Sequence, residues 1–125
     1  MASRFTELII DCAEPNRLAD FWAAVLDYRI TEKDDDSVYI EGPDGAGPGL
    51  LFTVVPEGKS VKNRLHIDVN PVDRDQADEV DRLIELGARR IDIGQGNPTW
   101  VVLADPEGNE FCVLRSRVDP LVSST

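Results

Sequence analysis

The chain has 125 residues, of which 42% are hydrophobic and 30% are charged, and its formal net charge is −11. This length fits one domain with enough apolar material for a core. The acidic excess argues against nucleic acid and anionic membrane surfaces as partners, because both need a basic patch. No apolar run is long enough for a transmembrane helix, and residues 1–12 lack the pattern of a secretory signal. We therefore expect a cytoplasmic protein in which Cys12 and Cys112 are reduced thiols.

The first half of the sequence predicts a strand, a helix and three further strands. Residues 5–12 alternate as a strand does, and Pro15 suits the first turn of a helix. An apolar stripe at helical spacing follows and ends near Asp27: Leu18, Phe21, Trp22, Val25 and Leu26. Residues 28–34 and 37–41 predict a hairpin, residues 42–49 a Gly/Pro-rich loop, and residues 50–55 another strand.

The second half predicts the same order after a polar connector at residues 56–63. Residues 64–70 alternate as a strand, and Asp73 with Gln76 is typical of a capping box before a helix. Val80, Leu83 and Ile84 form the apolar stripe of this helix, which we expect to end at Gly87. Residues 89–93, 99–104 and 109–116 then predict strands, separated by turns at 94–98 and 105–108.

Three matches in the same order indicate that the two halves are duplicates. Ile10-Asp11 matches Ile67-Asp68, residues 26–30 match residues 86–91 with one insertion, and Gly42-Pro43-Asp44-Gly45 matches Asp105-Pro106-Glu107-Gly108. Self-similarity around the same predicted elements favours repeated structural units. We therefore predict a single α+β domain, residues 1–125, made of two tandem βαβββ modules at about 4–57 and 62–117.

Several of these motifs together resemble the vicinal oxygen chelate superfamily, which includes glyoxalase I, bleomycin-resistance proteins and extradiol dioxygenases. Ile10-Asp11-Cys12 leads into Phe21-Trp22 and Leu26 as in that family's first strand and helix, and Asp105-Pro106-Glu107-Gly108-Asn109 resembles its final hairpin. Residues 62–68 resemble the subgroup called glyoxalase-like. The resemblance covers about residues 4–116.

The resemblance implies a cupped mixed sheet with helices on its outer face and a small-molecule cavity on the other face. The strand alternation then assigns one set of side chains to the helix side: Leu8, Ile10, Leu65, Ile67 and Val69. It assigns a second set to the cup: Glu7, Asp11, Arg64, His66 and Asp68.

Metal-dependent members of the superfamily use four ligand positions, one on the first strand and one on the last strand of each module. The first position falls on Glu7, which could bind a metal, but the second falls on Arg64, whose guanidinium has no lone pair to donate. His66 would replace it only with a shift of two residues. Residues 50–53 offer no carboxylate or imidazole, and Cys112 stands where the metal enzymes carry glutamate. We therefore expect no metal cofactor, while a divalent metal bound through Glu7, His66 and Cys112 stays an alternative.

Glu7 and Arg64 occupy equivalent positions, so we hypothesise that they form an ion pair in place of the metal. The residues expected to line the pocket are Glu7, Arg64, His66, Trp100, Glu110 and Cys112. The first functional hypothesis is metal-independent binding of a small, hydrophobic or cationic organic molecule in an acidic cup. The alternatives are a divalent-metal-dependent lyase or isomerase of glyoxalase type using Glu7 and His66, and a metal-free enzyme using His66, Cys112 or Glu110. Many relatives are dimers, so we expect a homodimer.

Overall fold

A computed structural model describes residues 2–92 and 99–121. The first half contains β1 (Glu7–Cys12), α1 (Pro15–Leu26), β2 (Arg29–Lys33), β3 (Ser37–Glu41), a 3-10 turn (Pro43–Gly45) and β4 (Gly49–Val54). The second half contains β5 (Ile67–Val69), α2 (Gln76–Leu86), β6 (Arg89–Arg90), β7 (Val101–Ala104) and β8 (Glu110–Val113). The turn predicted at residues 94–98 lies outside the described residues.

The duplication predicted from the sequence is confirmed by the strand topology. The chain divides into two compact units, one built on residues up to Gly58 and the other on Lys59–Pro120. The first unit has a four-stranded sheet in the order β1-β4-β3-β2, and the second has one in the order β5-β8-β7-β6. In both sheets the first strand runs parallel to the last, and the remaining pairs are antiparallel. Each unit is therefore a βαβββ module.

The first unit packs α1 against one face of its sheet. The buried side chains of the helix include Leu18 and Trp22. The rings of Phe21 and Trp22 pack edge to face, with their centroids 5.4 Å apart. Buried partners from the sheet alternate along β3 and β4: Val38, Ile40, Leu50 and Phe52. The helix ends at Asp27, which adopts the left-handed conformation with φ of 56°. Asp tolerates this conformation better than most residues, as the sequence suggested.

The helix of the second unit is capped by a different residue from the one that the sequence predicted. Asp75 is the N-cap of α2, and its side chain accepts a hydrogen bond from the Asp78 amide at 2.9 Å. Asp73 instead pairs with the neighbouring Arg74, and Gln76 donates its amide hydrogens to the carbonyl oxygens of Thr99 and Val113. The capping-box prediction was wrong because two acidic residues precede the helix and the spacing alone did not distinguish them. The helix does end at Gly87, where φ is 128°.

The strand predicted at residues 64–70 is shorter than expected. Pairing begins only at Ile67, so the alternation of side chains between two faces is not imposed on the preceding residues. Leu65, predicted to pack under the helix, is 85% exposed, whereas Val69 is buried as expected. Ile84 also differs from its predicted place in the core, because its side chain is 38% exposed. The core face of α2 is therefore centred on Val80 and Leu83.

The two parallel ladders end at matching pairs. Cys12 is paired with Val54 in the first unit, and Val69 is paired with Val113 in the second. One residue earlier, the carboxylate-bearing residue of each first strand faces a polar partner: Asp11 is paired with Thr53, and Asp68 with Cys112. Equivalent strand positions in the two modules are therefore paired in the same way but carry different side chains. No helix within residues 2–92 or 99–121 is long and apolar enough to cross a membrane.

The cap assignment can be tested with two alanine variants. Asp75→Ala removes the acceptor for the Asp78 amide, so the free energy of unfolding should fall by about 1 kcal/mol. Asp73→Ala removes only an exposed ion pair and should cost less, because solvent screens such pairs. Urea denaturation of both variants beside the parent protein measures the difference. An equal or larger loss for Asp73→Ala would place the cap where the sequence had predicted it.

Candidate functional site

Three side chains with different metal-binding and acid-base chemistry meet at the start of β5. The Nδ1 atom of His66 lies 3.5 Å from Oδ1 of Asp68 and 3.9 Å from Sγ of Cys112. One ligand atom from each residue can be chosen so that all three lie within 4.8 Å of one another. Parallel pairing of Asp68 with Cys112 fixes two of these positions, and His66 approaches from just before the strand. The structure therefore brings together two predicted site residues, His66 and Cys112, and adds Asp68.

The environment of the cluster differs between its members. Cys112 is buried, while the side chains of His66 and Asp68 are 39% and 49% exposed. Burial raises the pKa of the Cys112 thiol, and the nearby Asp68 carboxylate raises it further by charge and by hydrogen bonding. The thiol is therefore protonated at neutral pH and is a weak nucleophile in the absence of a bound cation.

The donor set of the cluster fits a divalent metal. Imidazole, carboxylate and thiolate all bind zinc, and the metal–ligand distances of tetrahedral sites put neighbouring ligand atoms roughly 3.3–3.6 Å apart. The two separations measured from His66 are close to that range. Arg64, on which the second metal-ligand position of the superfamily falls, is exposed and lies before β5. Among the described residues of this unit, His66, Asp68 and Cys112 are therefore the group that could hold a metal.

A second polar site is formed where Glu110 holds the connector at the start of β8. Glu110 is only 6% exposed, and its carboxylate accepts hydrogen bonds from the Asn63 amide at 3.0 and 3.3 Å. Its Oε1 atom also lies 2.7 Å from Nζ of Lys59. Burial alone would raise the pKa of Glu110, but the bonds from Lys59 and Asn63 outweigh it and hold the pKa below its usual value. Glu110 is therefore an ionised group that fixes residues 59–63 to the sheet.

The connector and the hairpin of β7 and β8 border an open recess of about 590 Å³. Its lining contains three basic residues, Lys59, Lys62 and Arg89, and three acidic ones, Asp92, Glu107 and Glu110. Lys59 is neutralised by Glu110, but Arg89 makes no ion pair within the described residues. This lining is mixed in charge, which differs from the acidic cup expected from the net charge.

The Asp105-Pro106-Glu107-Gly108-Asn109 motif shapes one wall of this recess. Asp105 is 1% exposed, and its Oδ1 atom accepts hydrogen bonds from the amides of Glu107 at 2.9 Å and Asn109 at 3.0 Å. Gly108 has φ of 88°, a left-handed conformation that favours glycine, and Arg89 lies beside it. The motif therefore builds the turn, and its role here is structural.

Within the second unit, Trp100 belongs to neither of these groups. Trp100 is 42% exposed just before β7, and it does not line the recess. Glu7 begins β1 and is exposed in the first unit, where a separate recess of about 550 Å³ includes Tyr39 and Arg4 but not Glu7. Glu7 and Arg64 belong to different units, so their pairing stays a prediction.

Sequence reasoning missed four residues of these sites. Asp68 was assigned to the cup but not chosen as a site residue, although its spacing of two from His66 was a usable signal. Lys59, Lys62 and Arg89 carried no signal, because isolated basic residues in a connector and a short strand are ordinary surface features.

Comparison with known proteins identifies the fold family. A family model described as the glyoxalase-like domain matches residues 7–114. No curated protein matches the chain. Among solved structures, the fosfomycin resistance protein FosX from Mesorhizobium loti is similar with a TM-score of 0.69 and 13% identity, over 94% of this chain and 95% of that chain.

Two further solved structures have the same fold. FosX from Listeria monocytogenes, complexed with Mn(II) and sulfate ion, gives a TM-score of 0.71 at 12% identity, over 94% of this chain and 96% of that chain. A glyoxalase/bleomycin resistance protein/dioxygenase family enzyme from Burkholderia phytofirmans PsJN gives 0.64 at 16% identity, over 89% and 97% of the two chains. At these identities the similarity concerns the fold.

Removing the charge of Glu110 should destabilise the protein in a pH-dependent way. Glu110→Gln loses the ion pair with Lys59, and we expect the free energy of unfolding at pH 7 to fall by about 1–3 kcal/mol. Because the folded-state pKa lies below the usual value of 4.5, this contribution is complete above about pH 4.5 and is lost as pH falls through the folded pKa. Urea denaturation from pH 7 to pH 3 measures it. A difference between the two proteins that stays constant with pH would contradict the assignment.

Proposed function

This chain belongs to the glyoxalase-like domain family, and we propose that it binds a small organic molecule without the four-position metal centre of the superfamily. The proposed ligand carries an anionic group such as a carboxylate or a phosphonate. It occupies the recess between the connector and the hairpin of β7 and β8. The observation that carries the proposal is the Arg89 guanidinium, which lines this recess without an ion pair among the described residues.

The chemistry of the lining supports an anionic ligand. A guanidinium presents several donors in a planar fork that matches carboxylate and phosphonate oxygens. Lys62 adds a second positive charge, while Glu110 already has its own partners in Lys59 and Asn63. Asp92 and Glu107 also line the recess, so the positive charge offered to a ligand is local to Arg89 and Lys62. A volume of about 590 Å³ is within the usual range for small-molecule sites.

The absence of matched ligands supports binding without the superfamily's metal centre. Arginine at position 64 cannot bind a cation, and β4 carries Leu50, Leu51, Phe52 and Thr53 where a carboxylate would be needed. A protein of this kind could act by sequestering its ligand. Whether it also transforms the ligand depends on groups near the recess.

The proposal is tested by ligand binding with two adjacent arginine variants. Thermal-shift screening and calorimetry with small carboxylates and phosphonates, in the presence of a chelator, should give specific stabilisation. Arg89→Gln should raise the Kd of a ligand found in this way by roughly 10–100-fold, because it removes charge-assisted hydrogen bonds. Arg90→Gln is the matched control, since Arg90 is the other residue of β6 and does not line the recess. Equal losses in both variants, or stabilisation by cationic ligands only, would contradict the proposal.

A second candidate is a divalent-metal-dependent lyase or isomerase of glyoxalase type that uses Glu7 and His66. The observation in its favour is that His66 lies beside two further donors, Asp68 and Cys112. A metal would supply Lewis-acid activation of a substrate oxygen. The third candidate, a metal-free enzyme, is weakened for Cys112 by the raised pKa of its thiol. It is kept for His66, whose imidazole is partly exposed and lies beside Asp68.

We also propose that the protein is a homodimer in the cytoplasm. Several apolar side chains are exposed on the isolated chain, including Phe5, Val61 and Leu65 at 65%, 75% and 85%. Exposed apolar surface supports association with a partner. Neither cysteine forms a disulfide within the described residues, and both are buried, which fits a reducing compartment. Sedimentation equilibrium should give twice the chain mass of 13.8 kDa, and a monomer mass would contradict the dimer.

A further inference from the structure

We infer that the first unit contains a second ligand site, which binds small organic cations such as quaternary ammonium compounds. The site is the recess of about 550 Å³ beside Tyr39, which we call the aromatic recess. All of its lining residues belong to the first unit, whereas those of the recess proposed for an anionic ligand belong to the second. The two proposals are therefore independent and have separate tests.

The strand registers show that the two recesses occupy equivalent places in the two modules. Tyr39 of β3 is paired with Leu51 of β4, and Ala104 of β7 is paired with Glu110 of β8. Leu51 and Glu110 each lie two residues before the residue that pairs with the aspartate of the first strand, so Tyr39 and Ala104 are equivalent. Each recess is also lined by the segment before its first strand and by the loop after its third strand. Duplication has therefore produced two recesses from the same parts.

An aromatic ring distinguishes the recess of the first unit from its equivalent. The ring of Tyr39 lies close over Gly49 of the neighbouring strand. A β-carbon added to Gly49 would lie 2.6 Å from Cε1 of this ring, and closer still to Cζ and the hydroxyl oxygen, so the ring needs glycine at that position. Because the ring lines the recess, a ligand there meets an aromatic surface in place of the methyl group of Ala104. An aromatic face attracts a cation through its quadrupole.

The charged residues of the lining favour a cation as well. Glu41 and Asp44 contribute carboxylates to the aromatic recess, and Arg4 contributes a guanidinium. None of the three forms an ion pair within the described residues. The lining therefore has an acidic excess, and both carboxylates are available to a positively charged ligand.

The electrostatic environment of Tyr39 extends this acidic excess beyond the lining. Burial is the first cause that raises the pKa of its hydroxyl group. Three carboxylates raise the pKa further, those of Glu41, Glu7 and Glu32. The ring therefore lies in a negative potential that Arg4 does not cancel. A cation is attracted both by this potential and by the aromatic face, whereas an anion is repelled by both.

These features define a class of ligand by its chemistry. A quaternary ammonium group donates no conventional hydrogen bond and is recognised by aromatic faces and nearby negative charge. A volume of about 550 Å³ has room for such a group and an organic body attached to it. We expect a Kd on the order of 1 mM for a simple ammonium ion, because solvent screens carboxylates that are not fully buried.

The inference is tested by titrating the full chain with small organic ions, followed by NMR and calorimetry. Benzyltrimethylammonium should bind saturably and shift the amide signals of Tyr39, Glu41 and Asp44, whereas benzenesulfonate should leave these signals unchanged. Choline should bind at least about threefold more tightly than its neutral isostere, in which a tert-butyl group replaces the trimethylammonium group.

Variants of the lining separate the effect of the ring from that of the charges. Tyr39→Leu should weaken benzyltrimethylammonium binding by about 3–30-fold, and Tyr39→Phe, which keeps the ring, should recover most of that loss. Glu41→Gln should weaken it by about 2–5-fold. Glu57→Gln is the matched control, since Glu57 is an exposed carboxylate of the same unit that does not line the recess. Arg4→Gln should tighten binding, because it removes a repulsive charge.

Thermal unfolding of each ligand-free variant shows whether the fold is retained. If Tyr39→Leu unfolds early, the opposite effects expected for Glu41→Gln and Arg4→Gln carry the test, because Arg4 is exposed and Glu41 is only partly buried.

Four results would overturn the inference. They are benzenesulfonate binding as tightly as benzyltrimethylammonium, choline binding no more tightly than its neutral isostere, equal losses in Tyr39→Phe and Tyr39→Leu, and equal losses in Glu57→Gln and Glu41→Gln. Binding of an organic anion in the recess of the second unit would leave the result for the first unit unaffected. Cation binding in the first unit would likewise leave the proposal for the second unit to its own test.

Discussion

Parallel pairing between the first and last strand of each module is the constraint on which both candidate sites depend. It joins residues that are far apart in sequence, and the helix and the other strands of the module fill the interval between them. In the second unit this pairing sets Asp68 beside Cys112 and places the start of β8, with Glu110, against the incoming connector. Without the parallel ladder, neither the His66 cluster nor the recess beside Glu110 would form.

The two sites differ in how their buried acidic groups are stabilised. Glu110 is buried but paired, so its charge is used to hold residues 59–63 and to position Lys59. The cost of burying this carboxylate is offset by direct bonds from a lysine and an amide. In the cluster, by contrast, burial and the Asp68 carboxylate raise the pKa of the Cys112 thiol and outweigh the opposing effect of Lys62. The first arrangement therefore keeps its carboxyl group ionised, and the second keeps its thiol protonated.

The charge of the recess differs from the overall charge of the chain. A chain with a net charge of −11 would be expected to present an acidic surface to a ligand. The recess has a mixed lining instead: three basic and three acidic residues border it, and Arg89 has no ion pair among the described residues. The local charge of this recess is therefore set by which residues converge there, and the overall composition does not predict it.

The sequence by itself determined the order of the elements, the duplication and most of the buried side chains of α1. Periodicity at two and 3.6 residues carries this information, since each period fixes which side chains can be buried together. The sequence pattern placed α1 and most strands within a few residues of their observed bounds. It also selected His66, Glu110 and Cys112 as candidate site residues. It misplaced the cap of α2 and the side chain of Leu65, because local spacing could not say where pairing and capping begin.

Only the tertiary structure decided which of these residues share a site. Asp68 joins Cys112 through strand pairing across more than forty residues, while Lys59 and Arg89 meet through the packing of a connector against a hairpin. No local pattern encodes either contact, because each depends on the register of one segment against a distant one. The sequence determined that two similar modules exist, and the packing of the second module decided that it alone brings an imidazole, a carboxylate and a thiol together.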